Sequence, residues 1–238
     1  MKSRIRIGLI CSVPEECGDI ISMLSHKKTN VSSGVRTVTG RIGIREVSLM
    51  ISGIGKVNAA HASTVLIDRF KPSRMINFGI GGGYKGSGLK IGDVAVSEME
   101  IYADEGIMSS KGFSGIEKIG IPLVSTKKER LFNRFPADKS LLKKAVAIKG
   151  ISGKGRFLTV SSVSGDSKRA AQLRRMFGGI CENMEGAAVF HVARIHGIAP
   201  LAIRGISNVA GDRDKRKWNI KEASLNCQSV LAELIERI

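Results

Sequence analysis

The sequence predicts an α/β domain, a β-sheet carrying helices on both faces. Three observations lead there. Short β-rich runs alternate with amphipathic helical windows along almost the whole chain. Apolar residues make up 42 % of the 238 residues while aromatics make up only 5 %, so aliphatic side chains must fill the core. Glycines and polar side chains gather where the strands should end, which is where open α/β sheets bind ligands.

Taken in order, Arg4 to Ser12 reads as the first strand, because Ile5, Ile7 and Leu9 alternate with Arg4, Arg6 and Gly8. That alternation argues against a signal peptide, although Lys2, Arg4 and Arg6 precede the apolar stretch Ile7 to Val13; no small-residue cleavage site follows a long enough apolar run. A cytoplasmic protein is expected. The fixed φ of Pro14 suits the first turn of a helix. Val35 to Ile42 and Glu46 to Ser52 form a hairpin through a tight loop at Gly43.

Gly53-Ile54-Gly55-Lys56 opens a helix in which Val57, Ala60, Thr64, Val65 and Phe70 recur at helical spacing. It matches a Walker phosphate loop poorly: one residue separates the glycines and Val57 follows the lysine. The strand Arg74 to Ile80 ends at Gly81-Gly82-Gly83, either a plain turn or a place where a ligand approaches backbone with no β-carbon in the way. Asp93 to Tyr102 is a strand, and Gly106 to Ala137, rich in Gly, Ser and Lys, reads as a long loop. A helix near Ser140 to Ile148, a strand Phe157 to Val163, a helix Lys168 to Phe177 and a strand Gly179 to Asn183 follow. Then come a helix Gly186 to His196, a strand Leu201 to Ser207 and a closing helix from about Lys221 to Ile238. No linker or internal repeat interrupts this pattern, so residues 1–238 read as one domain.

Lys and Arg exceed Asp and Glu by 38 to 21, a formal charge of +17. Such an excess favours polyanions. Its distribution does not: the runs Lys127 to Arg134, Lys139 to Lys149, Lys168 to Arg175 and Arg213 to Lys217 are separate and lack interleaved aromatics, so a solvated basic surface, with no nucleic-acid partner, is the expectation. No apolar run approaches the roughly 20 residues that span a bilayer, and no membrane partner is expected. Cys11, Cys17, Cys181 and Cys227 form no C-x-x-C pair and read as reduced, buried side chains instead of metal ligands.

Three segments place polar groups at strand ends. Ser12-Val13-Pro14-Glu15-Glu16 puts two carboxylates at a strand-to-helix turn, for helix capping or for chemistry. Glu182-Asn183-Met184-Glu185-Gly186-Ala187-Ala188 passes from strand to small-residue helix; alone, Glu185 is no more than a first-turn acid. Ile203-Arg204-Gly205-Ile206-Ser207-Asn208 carries an arginine in a strand that should be buried. A buried guanidinium needs a carboxylate, and Glu16 and Glu185 are of the available kind.

These segments, together with Ser52-Gly53-Ile54-Gly55-Lys56-Val57-Asn58-Ala59-Ala60, Asn77-Phe78-Gly79 and Ile91-Gly92-Asp93, follow in the order seen in nucleosidases of the purine nucleoside phosphorylase superfamily. The resemblance covers nearly the whole chain. It implies a central twisted mixed β-sheet flanked by helices on both faces, no cofactor or metal, a small nucleoside substrate, and a homo-oligomer, a dimer or dimer of dimers, in which Tyr102 to Phe113 of a neighbour closes the pocket. Within the superfamily the chain looks most like the futalosine-hydrolysing branch, on Ile101-Tyr102-Ala103-Asp104-Glu105-Gly106, the Glu182 to Ala188 run, and Ser207-Asn208 continuing to Gly211-Asp212-Arg213-Asp214 and Trp218. Methylthioadenosine/adenosylhomocysteine nucleosidases and phosphate-using phosphorylases are the alternatives.

Cleaving an N-ribosidic bond passes through a ribosyl cation and a departing purine anion, so the site must steady positive charge on the sugar and feed hydrogen bonds to the base. By the resemblance, Glu16 orients and deprotonates the attacking water, Arg204 fixes its geometry, and Glu185 holds the ribose hydroxyls. Asn208 meets the purine and Ser207 orients it, while Ile80, Gly81, Gly82, Val163, Asn183 and Met184 line the substrate pocket. Asparagine at 208 departs from the aspartate of adenine-specific relatives. An amide donates to a 6-oxo group and accepts from protonated N7, which matches hypoxanthine. Ser12 to Cys17 holds two acids and no base, and Asn77 to Gly83 holds no cation, so water is expected as the acceptor instead of phosphate. A carboxyphenyl group at the 5′ side of futalosine needs a cation, for which Lys111, Arg130 and Arg213 are candidates, with Tyr102 and the loop beyond Gly106 as walls.

Overall fold

The computed structural model describes residues 5–127 and 129–238. Strand β1 (Arg6–Cys11) leads through a 3₁₀ turn at Pro14–Glu16 into helix α1 (Gly18–Met23), and β2 (Ser25–Ser32), β3 (Val35–Ile42) and β4 (Arg45–Ile51) follow as a meander. Helix α2 (Lys56–Phe70) connects to β5 (Arg74–Gly83) and β6 (Val94–Tyr102). Five short strands, β7 (Gly106–Ser109), β8 (Gly112–Gly115), β9 (Val124–Ser125), β10 (Arg130–Leu131) and β11 (Arg134–Pro136), precede α3 (Lys139–Val146). Then come β12 (Ile151–Thr159), α4 (Ser167–Phe177), β13 (Gly179–Asn183), α5 (Gly186–Ile195), β14 (Ala199–Val209) and α6 (Ile220–Arg237).

Among the described residues, ten strands form one mixed sheet. The order β11-β6-β12-β13-β5-β1-β4-β3-β2 is completed by β14, which runs parallel to β5 and antiparallel to β6. Strands β5, β13, β12, β6 and β14 therefore close into a ring, with β1, β4, β3 and β2 spreading from β5. Helices cover both faces, as expected. On β1, Gly8 faces Leu66 of α2, with the apolar side chain 2.5 Å from where a β-carbon would stand. Its row continues through Met75 of β5 to Pro200 of β14. Gly205 lies five residues further along β14, hence on the opposite face, and there it packs against Ala223 of α6. Helix α6 earns its place by spacing: Ala223, Cys227, Val230, Leu231, Leu234 and Ile235 are buried one or two turns apart, and the Asn219 side chain caps the start by accepting from the Glu222 N–H at 3.2 Å. The aliphatic core includes Leu9, Ile10, Leu49, Ile76, Leu201 and Ile203, all fully buried, each contributing about 1.5–3 kcal/mol of burial.

Several expectations need correction. Gly81 to Gly83 is not a turn: β5 continues through it, and the missing side chains let neighbouring strands close in, since a β-carbon on Gly81 would stand 2.5 Å from Cys181 Sγ. Strand β2 escaped notice because SHKKTNVS has almost no apolar alternation; among the described residues it pairs with β3 alone, at the sheet's edge. Residues 106–137 hold short hairpins and β11 in place of a structureless loop. β12 begins six residues before Phe157, where Gly153 and Gly155 conceal the pattern, and ends at Thr159. Lys2 and Arg4, at the expected start of the first strand, and Lys128 lie outside the described residues.

Candidate active site

The site lies where the sheet splits. One edge of β5 pairs with β1 over Arg74 to Asn77 and with β13 at Gly82 and Gly83. Between these stretches the edge has no strand partner among the described residues, so its backbone groups are free for side chains. The Ile80 N–H is one of them, and it donates to Glu16 Oε1 at 2.9 Å. Pro14 starts the short turn that swings Glu16 back over the end of β1, where Oε2 accepts from the N–H groups of Ser12 (2.8 Å) and Val13 (3.3 Å). Gly79, at φ +148°, completes the fit: a β-carbon there would run into the Glu16 carboxylate. Glu15 points to solvent. Burial pushes the Glu16 carboxyl above its ordinary range, opposed by the Ile80 N–H and Arg204 and aided by Glu185.

Glu185 precedes α5 but does not cap it. Its Oε1 crosses to accept from the Gly55 N–H at 2.9 Å, and Oε2 accepts from the Met184 N–H at 3.2 Å. The turn at Gly53 and Gly55, with φ +85° and +97°, thus aims the N–H of Gly55, the residue that caps α2, at a carboxylate of the same chain. Asn183 takes over the cap: its Oδ1 accepts from the N–H groups of Glu185 (3.0 Å) and Gly186 (2.7 Å). Its Nδ2 donates to Glu100 Oε2 at 3.1 Å, a fully buried carboxyl that Thr159 also reaches, at 3.0 Å. Burial raises Glu100 to about 7.

A cavity of about 340 Å³ gathers these groups. Of the residues expected from sequence, Glu16, Glu185 and Asn208 line it, with Ile80, Gly81, Gly82, Val163, Asn183, Met184 and Ser207. The Ser207 hydroxyl donates to Asn208 Oδ1 at 2.8 Å. Arg204 is not among the cavity's lining residues, and in place of the expected ion pair its guanidinium donates to the Asn77 side-chain oxygen and to the carbonyls of Asn77 (3.2 Å) and Ile203 (3.0 Å); among the described residues no carboxylate pairs with it. Its charge is felt at Glu16 only through space. Tyr102 is not a wall either; it is buried beside Phe135 and His191. Of the three candidate cations, Arg213 alone lines the cavity, 4.8 Å over the Trp218 ring. Lys111 sits in the β7–β8 turn and Arg130 in β10.

Among the lining residues to which the sequence reading gave no place in the pocket are Trp218 and Glu182. Trp218 forms part of the wall, its indole N–H donating to the Asp212 carbonyl at 3.1 Å. Glu182 brings a third carboxylate; its place at the head of the strand-end run Glu182 to Ala188 was the signal that could have marked it. Among the described residues, no three His, Cys, Asp or Glu side chains are placed to hold a metal ion, and all four cysteines are buried and free.

Three buried carboxylates and two amides, Asn183 and Asn208, around a cavity at a sheet's carboxyl ends make a site suited to a small polar molecule that gains positive charge as it reacts. The chain belongs to the phosphorylase superfamily, which it matches over residues 6–236. It is 36 % identical to the futalosine hydrolase of Thermus thermophilus over 79 % of this chain and 78 % of that one. To the 5′-methylthioadenosine/S-adenosylhomocysteine nucleosidase of Geobacillus thermodenitrificans it is 32 % identical, over 87 % and 86 %. The Streptococcus pneumoniae methylthioadenosine/adenosylhomocysteine nucleosidase, solved with 8-aminoadenine, shares the fold at a TM-score of 0.85 and 24 % identity, covering 98 % of this chain and 100 % of that one. The relatives place the chain among nucleosidases, hydrolases of N-glycosyl bonds.

Proposed function

We propose that the nucleosidase hydrolyses futalosine to hypoxanthine and dehypoxanthine futalosine, a step of menaquinone biosynthesis. The observation that carries this is Asn208, a neutral amide held by Ser207 in the cavity that Glu16 and Glu185 share. As the N-ribosidic bond breaks, its electron pair moves to the purine and positive charge grows on the ribose. Glu185, fixed by the Gly55 N–H, faces the sugar hydroxyls and offsets that charge. Glu16 takes a proton from water as its oxygen bonds to the anomeric carbon; a carboxyl pushed upward by burial is the stronger base for it. The Asn208 amide donates to O6 and, once the departing purine anion has taken a proton from solvent water at N7, accepts from that N7–H. Arg213 on Trp218 is the cation available to a substrate carboxylate.

Water is favoured over phosphate by charge: the lining carries Glu16, Glu182 and Glu185 against Arg213 alone. The Geobacillus relative supports the second reading, methylthioadenosine/adenosylhomocysteine cleavage. Incubating the purified protein with futalosine, inosine and methylthioadenosine, with and without phosphate, separates them. Hypoxanthine released from futalosine independently of phosphate is expected; adenine from methylthioadenosine as the sole product overturns the reading.

A further inference from the structure

Glu182 and Asn208 belong to one row of the sheet. In register, Gly82 of β5 stands between them, opposite Asn208 of β14 on one side and Glu182 of β13 on the other. Residues directly opposite share a face, and two strand spacings put the outer pair about 10 Å apart at their Cα atoms. The middle residue has no side chain. Ala210 comes within 3.3 Å of where its β-carbon would stand, and the row carries an amide at one end and a carboxylate at the other, with all three residues lining the cavity.

The carboxylate is anchored but not saturated. Glu182 Oε1 accepts from the Ser164 N–H at 2.8 Å, while Oε2 accepts from the Ser164 hydroxyl at 2.6 Å and the Tyr84 hydroxyl at 2.9 Å. An ionised carboxylate offers roughly four acceptor positions; three are taken, leaving one on Oε1. Every protein partner is a donor, so the group that completes the set must be another donor.

A 6-oxopurine carries that donor. Its N1 bears a hydrogen, whereas N1 of a 6-aminopurine is a lone pair that a carboxylate repels. We propose that Glu182 is a specificity residue that accepts the N1–H of a 6-oxopurine whose O6 and N7 face Asn208. The inference rests on the 6-oxopurine reading above and adds a second, independent point of discrimination. The segment carrying Val163 and Ser164 is tied to this carboxylate, so the wall beside the base and the group that reads its edge are one unit.

The test compares kcat/KM for futalosine and its 6-amino analogue in the unaltered protein, Glu182→Gln and Tyr84→Phe. Glutamine presents an amide N–H to the base and tolerates N1 of the 6-aminopurine, so the 6-oxo to 6-amino ratio should fall at least tenfold in Glu182→Gln. Tyr84→Phe leaves the carboxylate in place and should keep the ratio. Product binding supplies a measurement that needs no variant: 1-methylhypoxanthine should bind the unaltered protein at least tenfold more weakly than hypoxanthine. A 6-oxo preference that Glu182→Gln leaves unmoved, or equal binding of the two bases, overturns the assignment of Glu182. An unaltered protein that cleaves the 6-amino analogue faster than futalosine overturns the 6-oxopurine reading itself.

Discussion

Glu16 shows how a side chain acquires chemistry from its surroundings. The two neighbouring glutamates differ little in sequence, yet Glu15 meets water and Glu16 lies 5 % exposed under three backbone N–H groups. A base must be ionised to act, so kcat/KM should fall as pH drops through its raised value, placing the acid limb above 4.5; a profile flat down to pH 4.5 contradicts this. Glu16→Gln should lower kcat by about 10²–10⁴-fold while hypoxanthine still binds, measured by single-turnover kinetics and equilibrium binding. Asn208→Asp should move preference toward 6-aminopurines, read as the ratio of kcat/KM for the two bases, because a carboxylic acid donates to N7 and accepts from a 6-amino group. Glu16, Glu185 and Asn208 could be picked out because polar groups at strand ends stand out. Arg204 was identified as buried, but its partner was not: sequence spacing holds no information on which oxygen, Asn77's or a glutamate's, comes within reach across strands.

Helices and strands hold the site open through what they omit. Gly79→Ala should cost about 1–3 kcal/mol in denaturant melts, from backbone strain and from the displaced Glu16 carboxylate, with activity falling more than stability. Beneath the site, Glu100 of β6 ties β12 and β13 together through Thr159 and Asn183. Its carboxyl, raised from 4.5 to about 7, holds its proton more tightly when folded than when unfolded. That contribution is full below pH 4.5 and is lost as pH rises through about 7. Glu100→Gln should therefore remove a pH-dependent loss of about 2–3 kcal/mol between pH 4.5 and 8, seen as a flatter plot of unfolding free energy against pH. The central elements were legible because burial on two faces writes a dense apolar pattern, as in β1 and β14. β2 and residues 106–137 were not, since exposed edge strands and short hairpins are held by backbone pairing that leaves little trace in side-chain type.

At the scale of the whole molecule, the +17 charge is spread over the surface while the cavity is acidic. The outer field should draw in an anionic substrate, so kcat/KM for futalosine should fall with ionic strength from 20 to 500 mM salt more steeply than for neutral inosine; parallel curves would show that the charge plays no part in capture. The alternation of the central strands and helices and the polar groups at the strand ends were determined by the sequence itself, because hydrophobic period and glycine placement are local, while the mixed sheet was implied by the family resemblance. Tertiary structure alone decided that β5 changes partners between β1 and β13, that Arg204 answers to Asn77, and that Glu182 shares a row with Asn208. Each of these depends on the register between segments far apart in the chain, and register is settled only when the whole sheet packs.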